Sequence, residues 1–477
     1  MATRQEKDSL GYKDVPADAY YGIQTARAIE NYPISGLRAH PTLIRAIAME
    51  KQAAAEANLA LELLQPKIAE AILLAAKEVQ SGKWNNQFVV DVFQAGAGVS
   101  FHMNANEVIA NRAEELAGGH LGEYKIVHPN DHVNYGQSTN DVFPTAMRLA
   151  ALLELDRLYP VLDDLATAFE AKGKEFHEIL KSGRTHMQDA VPMRLGQEFT
   201  AYAGAILRSA KQIREQSEWL RELGLGGSAV GTGINTHPDY RNQAIANLSR
   251  ISGQELVPAD DMRYAMQSNL AMSSVSSALR NLALEIIRIS NDLRLLSSGP
   301  NTGFGEINLP ALQPGSSIMP GKINPVMPEL AAMVSFQVVG NDLTVAMAVQ
   351  AGQLELNVMM PAMALNVLQS ITLLANMLRV FTDKCVAGIT ANPKRNEFYA
   401  QSTVSLATAL NPYIGYAKAA EIAKESVATG RSIIDIARSK QYLSEEQIRE
   451  VLDPARMTEP RIPTQTAGEA KIVKLKK

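Results

Sequence analysis

Seven apolar residues, Val275, Leu279, Leu282, Ile286, Ile289, Leu293 and Leu296, follow one another at alternating steps of four and three. That spacing is a heptad seam, the one-sided stripe that lays a helix against its neighbours at a shallow angle. At 1.5 Å per residue the seam runs about 33 Å, and Gly299-Pro300 stops it. A second seam passes through Val367, Ile371, Leu374, Leu378 and Phe381, and a weaker one through Ala203, Ile206, Ala210, Ile213 and Leu220. Several long helices of this kind predict a mainly all-α fold around a central long-helix bundle. Leu284, Ile287 and Leu295 widen the main stripe beyond a two-helix contact. Burial on more than one side, and hence subunit association, is expected; a monomeric bundle with a broad core would give the same pattern.

A chain of 477 residues exceeds what one hydrophobic core usually serves. Three domains are expected: a mixed, partly helical segment 1–138 with amphipathic helices over 41–64 and 66–80, the bundle 139–394, and a small helical domain 395–477. Asn411-Pro412 and Gly430 cut the last into short helices, and Ser444-Glu-Glu-Gln447 opens one as a capping box. The low aromatic content, 6%, agrees with helices rather than sheets.

Net charge is −4, so no global field attracts nucleic acid. The basic tail Lys471–Lys477 reads as a frayed end. One cysteine, Cys385, cannot form an internal disulfide and reads as a buried thiol in a reducing compartment. The polar N-terminus lacks the apolar region of a signal peptide, and no uninterrupted apolar run reaches membrane-spanning length. A cytoplasmic protein without a membrane partner is expected.

Four polar clusters interrupt the helical pattern. They are Gly96–Glu107, with Val99, Ser100 and His102; His132–Asp141, with Ser138, Thr139 and Asn140; Gly183–Asp189, with Thr185 and His186; and Gly315-Ser316-Ser317-Ile318-Met319-Pro320-Gly321-Lys322-Ile323-Asn324-Pro325. Hydroxyls, amides, imidazoles and a lysine with few free carboxylates suit an anionic substrate, whose carboxylates want donors. Any one cluster alone would pass for turns and helix caps. Rival motifs fail: Ile323 follows Gly321-Lys322 where a P-loop needs Ser or Thr. Gly224-x-Gly226-x-x-Ala229 follows a helix-period segment where a dinucleotide fingerprint needs a strand. His128 and His132 have helical ligand spacing, but Pro129 is expected to break that helix, so no metal is implied.

Taken together, the Gly315–Pro325 segment, Met103-Asn104-Ala105-Asn106-Glu107 and Gly231-Thr232-Gly233 resemble the aspartase/fumarase superfamily of helical, tetrameric lyases, over nearly the whole chain. Gln137-Ser138-Thr139-Asn140-Asp141, Ala190-Val191-Pro192 and Val326-Met327-Pro328-Glu329 are similar to the aspartase branch rather than the fumarase branch. The resemblance implies reversible elimination of ammonia from aspartate. Hydration of fumarate, or a lyase with an altered amine-side preference, is the alternative. It implies Ser316 as the general base and His186 as a second catalytic group. Ser138, Thr139 and Ser317 would hold the reacting carboxylate, and Thr185, Lys322 and Asn324 the other one. Asn140 would face the amine, and Glu329 would orient His186. Active sites composed from three subunits of a homotetramer are implied, with a small dicarboxylate as substrate and no cofactor. Val99 and His102 stand where the family usually has threonine and asparagine, and Met360 where it has a charged residue. These departures, with Ser100 nearby, gather at the amine end of the substrate.

Overall fold

The computed structural model describes residues 2–462; the basic tail Lys471–Lys477 lies outside the described residues. The architecture is mainly helical, with strands confined to short two-stranded pairs. Contacts divide the chain into two compact units, one of Met1–Asp164, Ile206–Arg288 and Glu329–Val380, the other of Leu165–Ala205, Ile289–Pro328 and Phe381–Lys477. Each boundary falls inside a long helix.

The first unit opens on an antiparallel hairpin, β1 (Thr3–Asp8) and β2 (Gly11–Pro16). It continues with α1 (Ile23–Asn31), α2 (Pro41–Ala60), α3 (Pro66–Gln80) and α4 (Val99–Leu116). Prolines at the first position of α2 and α3 start both helices where the sequence pattern places them. The long α5 (Thr139–Glu175) begins here and ends in the second unit, where the hairpin β3 (Leu180–Thr185) and β4 (Gln188–Arg194) follows. Then come α6 (Leu195–Ser217), α7 (Tyr240–Ser252), α8 (Met262–Gln267), α9 (Leu270–Leu296), α10 (Val326–Gln350) and α11 (Met360–Lys384).

The seams predicted from spacing lie on α6, α9 and α11, and every residue of the α9 seam is buried. Leu284 and Leu295, beside it, are partly exposed, at 49% and 39%. In the second unit Leu406, Leu410, Ile422, Ile433, Ile436 and Ile448 build a core of short helices. The capping box at Ser444 and Gln447 forms as the sequence predicts. Cys385 is buried, and burial raises its thiol to about 12.

Two helical stretches, Val326–Gln350 and Met360–Gly388, are long and apolar enough by length and composition to cross a membrane, although neither is an unbroken apolar run. Asp342 interrupts the first, accepting from Ser276 Oγ at 2.7 Å and pairing with Arg280 at 3.1 Å. Most of the second is packed inside the protein.

Candidate active site

The first two polar clusters meet in the first unit. Gly98, with φ 93°, caps α4, and a Cβ there would collide with the Phe143 ring, so only glycine fits. The first helical residues, Val99 and Ser100, line a cavity of about 530 Å³ together with Gln24, Arg27, Met103 and Asn130. One turn on, His102 is buried, and its Nδ1 lies 2.7 Å from Thr139 Oγ1 at the head of α5.

Ser138 caps α5. Its Oγ accepts the Asn140 N–H at 3.3 Å, and Asp141 Oδ1 accepts the Ser138 N–H at 2.9 Å. The amino end of a 37-residue helix carries a positive pole, which favours an anion. The glycine loop that fails as a dinucleotide fingerprint braces this end. Asp141 Oδ2 accepts the Gly226 and Ser228 N–H groups, each at 3.0 Å, and Asn140 Nδ2 donates to Ala229 O at 2.8 Å. Burial raises the Asp141 carboxyl to about 6 against those donors.

The third and fourth clusters lie in the second unit. β3 and β4 are joined by His186 and Met187, both left-handed, with φ 54° and 62°. Such turns favour Asn or Gly, so a strained tip carrying an imidazole suggests function. Thr185 and His186 are exposed at this tip. Arg184 points the other way, paired with the buried Glu306 and stacked over Phe304 at 4.3 Å and Tyr399 at 5.1 Å. That contact anchors the strand behind the tip.

The Gly315–Asn324 segment is a closed loop. The Gly315 N–H donates to Lys322 O at 2.8 Å, and Asn324 Nδ2 donates to Gly315 O. Inside it, Ser316 Oγ accepts the Ile318 N–H at 3.2 Å and the Met319 N–H at 2.9 Å. Two backbone donors on one hydroxyl oxygen stabilise its anion. Ser317, Lys322 and the apolar Ile318 and Ile323 are exposed.

Against this geometry, the sequence profile of a family described as Lyase matches residues 11–340, and that described as Fumarase C C-terminus matches 406–459. The chain belongs to the lyase family. An aspartate ammonia-lyase of Bacillus subtilis (strain 168) is 49% identical over 96% of this chain and 97% of its own. A class II fumarate hydratase of Halobacterium salinarum is also 49% identical, over 95% and 97%. The crystal structure of a fumarate lyase:delta crystallin from Brucella melitensis superposes with a TM-score of 0.93 at 50% identity, covering 96% of this chain and all of that one. The protein is therefore an enzyme, and its aspartate ammonia-lyase relatives group it with carbon–nitrogen lyases.

Several residues of this lyase play other parts than their sequence context suggests. Glu107 is a structural clamp: its carboxylate accepts the N–H groups of Gly22, Gln24 and Thr25 and the Thr25 hydroxyl, holding the start of α1. Asn104 likewise bonds the backbone at Gln87 and Val89. Met360 is buried at the first residue of α11. Pro129 does not break the His128–His132 spacing as expected: it starts a π-helical turn, Pro129–Val133. His132 Nδ1 there accepts the His128 N–H at 2.8 Å. Among the described residues no group of three or more His, Cys, Asp or Glu side chains is placed to hold a metal ion. Neither His186 nor Glu329 has a side-chain hydrogen-bond partner among the described residues.

Sequence reasoning missed Lys51. Its side chain is fully buried on α2, with Nζ 2.6 Å from His102 Nε2, 3.0 Å from Asn134 Oδ1 and 2.8 Å from Gln137 Oε1. Burial pulls the ammonium down to about 7 and raises the neighbouring Glu50 carboxyl well above the usual range. The three partners are 51, 83 and 86 residues away, beyond any local pattern.

Proposed function

We propose that this lyase reversibly deaminates L-aspartate to fumarate and ammonia. Ser316, as its alkoxide, takes the proton from C3; the electron pair passes onto the adjoining carboxylate as an enediolate. That pair then forms the C2–C3 double bond as the C2–N bond breaks and the amine leaves with the bonding electrons. Serine is a weak base unless its anion is stabilised. The pair of backbone N–H groups on Ser316 Oγ is the observation that carries this reading. Ser138, Thr139 and Ser317 donate to the carboxylate that gains charge. Thr185, Lys322 and Asn324 hold the other one. Asn140 and His186 face the amine, with Glu329 orienting the imidazole.

These groups are contributed by different copies in a homotetramer. Met333, Phe336, Leu343 and Met347 support that assembly, for they form an exposed apolar stripe on α10 at steps of three, seven and four, the pattern of a helix awaiting another helix.

A second reading, hydration of fumarate to malate, draws on the equally similar fumarate hydratase and on Val99, which offers no hydroxyl near the amine. Incubation with L-aspartate, following fumarate absorbance and released ammonia together, decides between them. Equal amounts of both products support the deaminase. Malate from fumarate, with no product from aspartate, would assign the hydratase. Ser316→Ala is expected to lower turnover roughly 10²- to 10⁴-fold.

A further inference from the structure

Three polar atoms surround Lys51 Nζ, and their own bonding fixes what each can offer. Asn134 Nδ2 donates to Gln137 O at 3.1 Å, and Gln137 Nε2 donates to Val133 O at 3.2 Å and Tyr135 O at 3.3 Å. Both amide groups therefore turn their oxygens toward Lys51, and these can only accept. An ammonium has three donors and no acceptor, so it satisfies the two oxygens and His102 Nε2 together. His102 must then carry its proton on Nδ1, the nitrogen 2.7 Å from Thr139 Oγ1. Nδ1–H donates to the threonine oxygen, which leaves the Thr139 hydrogen for another acceptor. Among the described residues Thr139 Oγ1 bonds no side chain but His102.

We propose that Lys51 and His102 are positioning residues whose one-way hydrogen-bond chain fixes the Thr139 hydroxyl as a donor to the substrate carboxylate. The inference rests on the dicarboxylate reading above and deepens it. A hydroxyl free to rotate can accept as readily as donate. One whose oxygen is already supplied with a proton offers its hydrogen, which suits a carboxylate oxygen and disfavours a donor such as an ammonium. Burial keeps His102 neutral; on Lys51 it acts the other way, pulling the ammonium down to about 7, so the chain runs in this direction while Lys51 carries its third proton. Asp141 on α5, whose carboxyl is raised only to about 6, is the anionic group that favours the ammonium, whereas burial raises the Glu50 carboxyl on the same helix well above the usual range.

Two measurements test the chain. The first is the ¹⁵N side-chain spectrum of histidine-labelled protein without substrate, with the His102 signals identified by their loss in His102→Gln. Protonation at Nδ1 is expected; protonation at Nε2, or of both nitrogens, would overturn the proposal. The second is a double-mutant cycle read by calorimetric binding of succinate, an unreactive dicarboxylate. Lys51→Met should weaken succinate about tenfold, the worth of one charge-assisted hydrogen bond, and should have no further effect in a Thr139→Val background. Equal weakening in both backgrounds would overturn the proposal. His102→Gln, whose amide can accept from Lys51 and donate to Thr139, should retain more affinity than His102→Leu; equal losses would count against it. If the wild type fails to bind succinate, the dicarboxylate reading falls, and the relay to a substrate with it. A wrong tautomer in a protein that binds succinate removes the relay alone.

Discussion

Asn324 Nδ2 donates to the carbonyl oxygen of Gly315 at 2.6 Å, closing the loop that carries Ser316. Closure leaves no room at the glycine, since a Cβ on Gly315 would collide with Lys322 O and crowd the Asn324 N–H. Gly315→Ala should therefore open the loop and loosen the two donors on Ser316. We expect kcat to fall by about 10²-fold, the usual loss when an oxyanion donor is displaced. Thermal unfolding should move little, because the loop is exposed. Steady-state kinetics beside a melting curve check both halves.

Val99 is exposed to the cavity beside Ser100. Valine and threonine have nearly the same shape, so Val99→Thr adds a hydroxyl at little cost in packing. If L-aspartate is the substrate, kcat/KM for it should rise several-fold, about what one added neutral hydrogen bond contributes. Unchanged kcat and KM would show that Ser100 or another group already serves the amine.

Glu107 accepts from four donors through two oxygens. In Glu107→Gln one oxygen becomes an NH₂ group facing N–H groups, so donor meets donor at a buried position. We expect a loss of about 1–3 kcal/mol in stability, read by urea titration. The sign of the pH dependence is also fixed. Burial raises Glu107 from 4.5 to about 7, so the folded state binds more protons than the unfolded one between those values. Its contribution is full below pH 4.5 and is lost as pH rises toward 7, and the glutamine variant should lack that slope.

Cys385 is buried, with its thiol near 12. Alkylation by iodoacetamide at pH 8 should be negligible in the folded protein and complete in urea, since the thiolate is the reactive form. Mass spectrometry of the intact chain reads the outcome.

The bundle was legible because its signal is periodic and local. The α9 seam needs only its own spacing, and its residues are buried as that spacing requires. The loops proposed for the site stood out for a related reason: Ser316, Thr139 and Thr185 each sit in a short segment punctuated by glycine or proline. Lys51 was not, because α2 is buried on most sides and a charged pair within it reads as solvated surface. Only the fold brings Lys51 to His102, and only then does the histidine's tautomer become a question. His128 and His132 misled for the opposite reason. Proline ends an α-helix from within, but at the first position of a π-turn its missing N–H costs nothing.

The left-handed turn at His186 and Met187 sets robustness against the role proposed for the imidazole. Glycine at 186 would relieve the left-handed backbone strain, yet would delete the imidazole. Under the role proposed for His186, any gain in durability at that position must be taken out of turnover, so heat-tolerant variants selected without an activity screen should accumulate there.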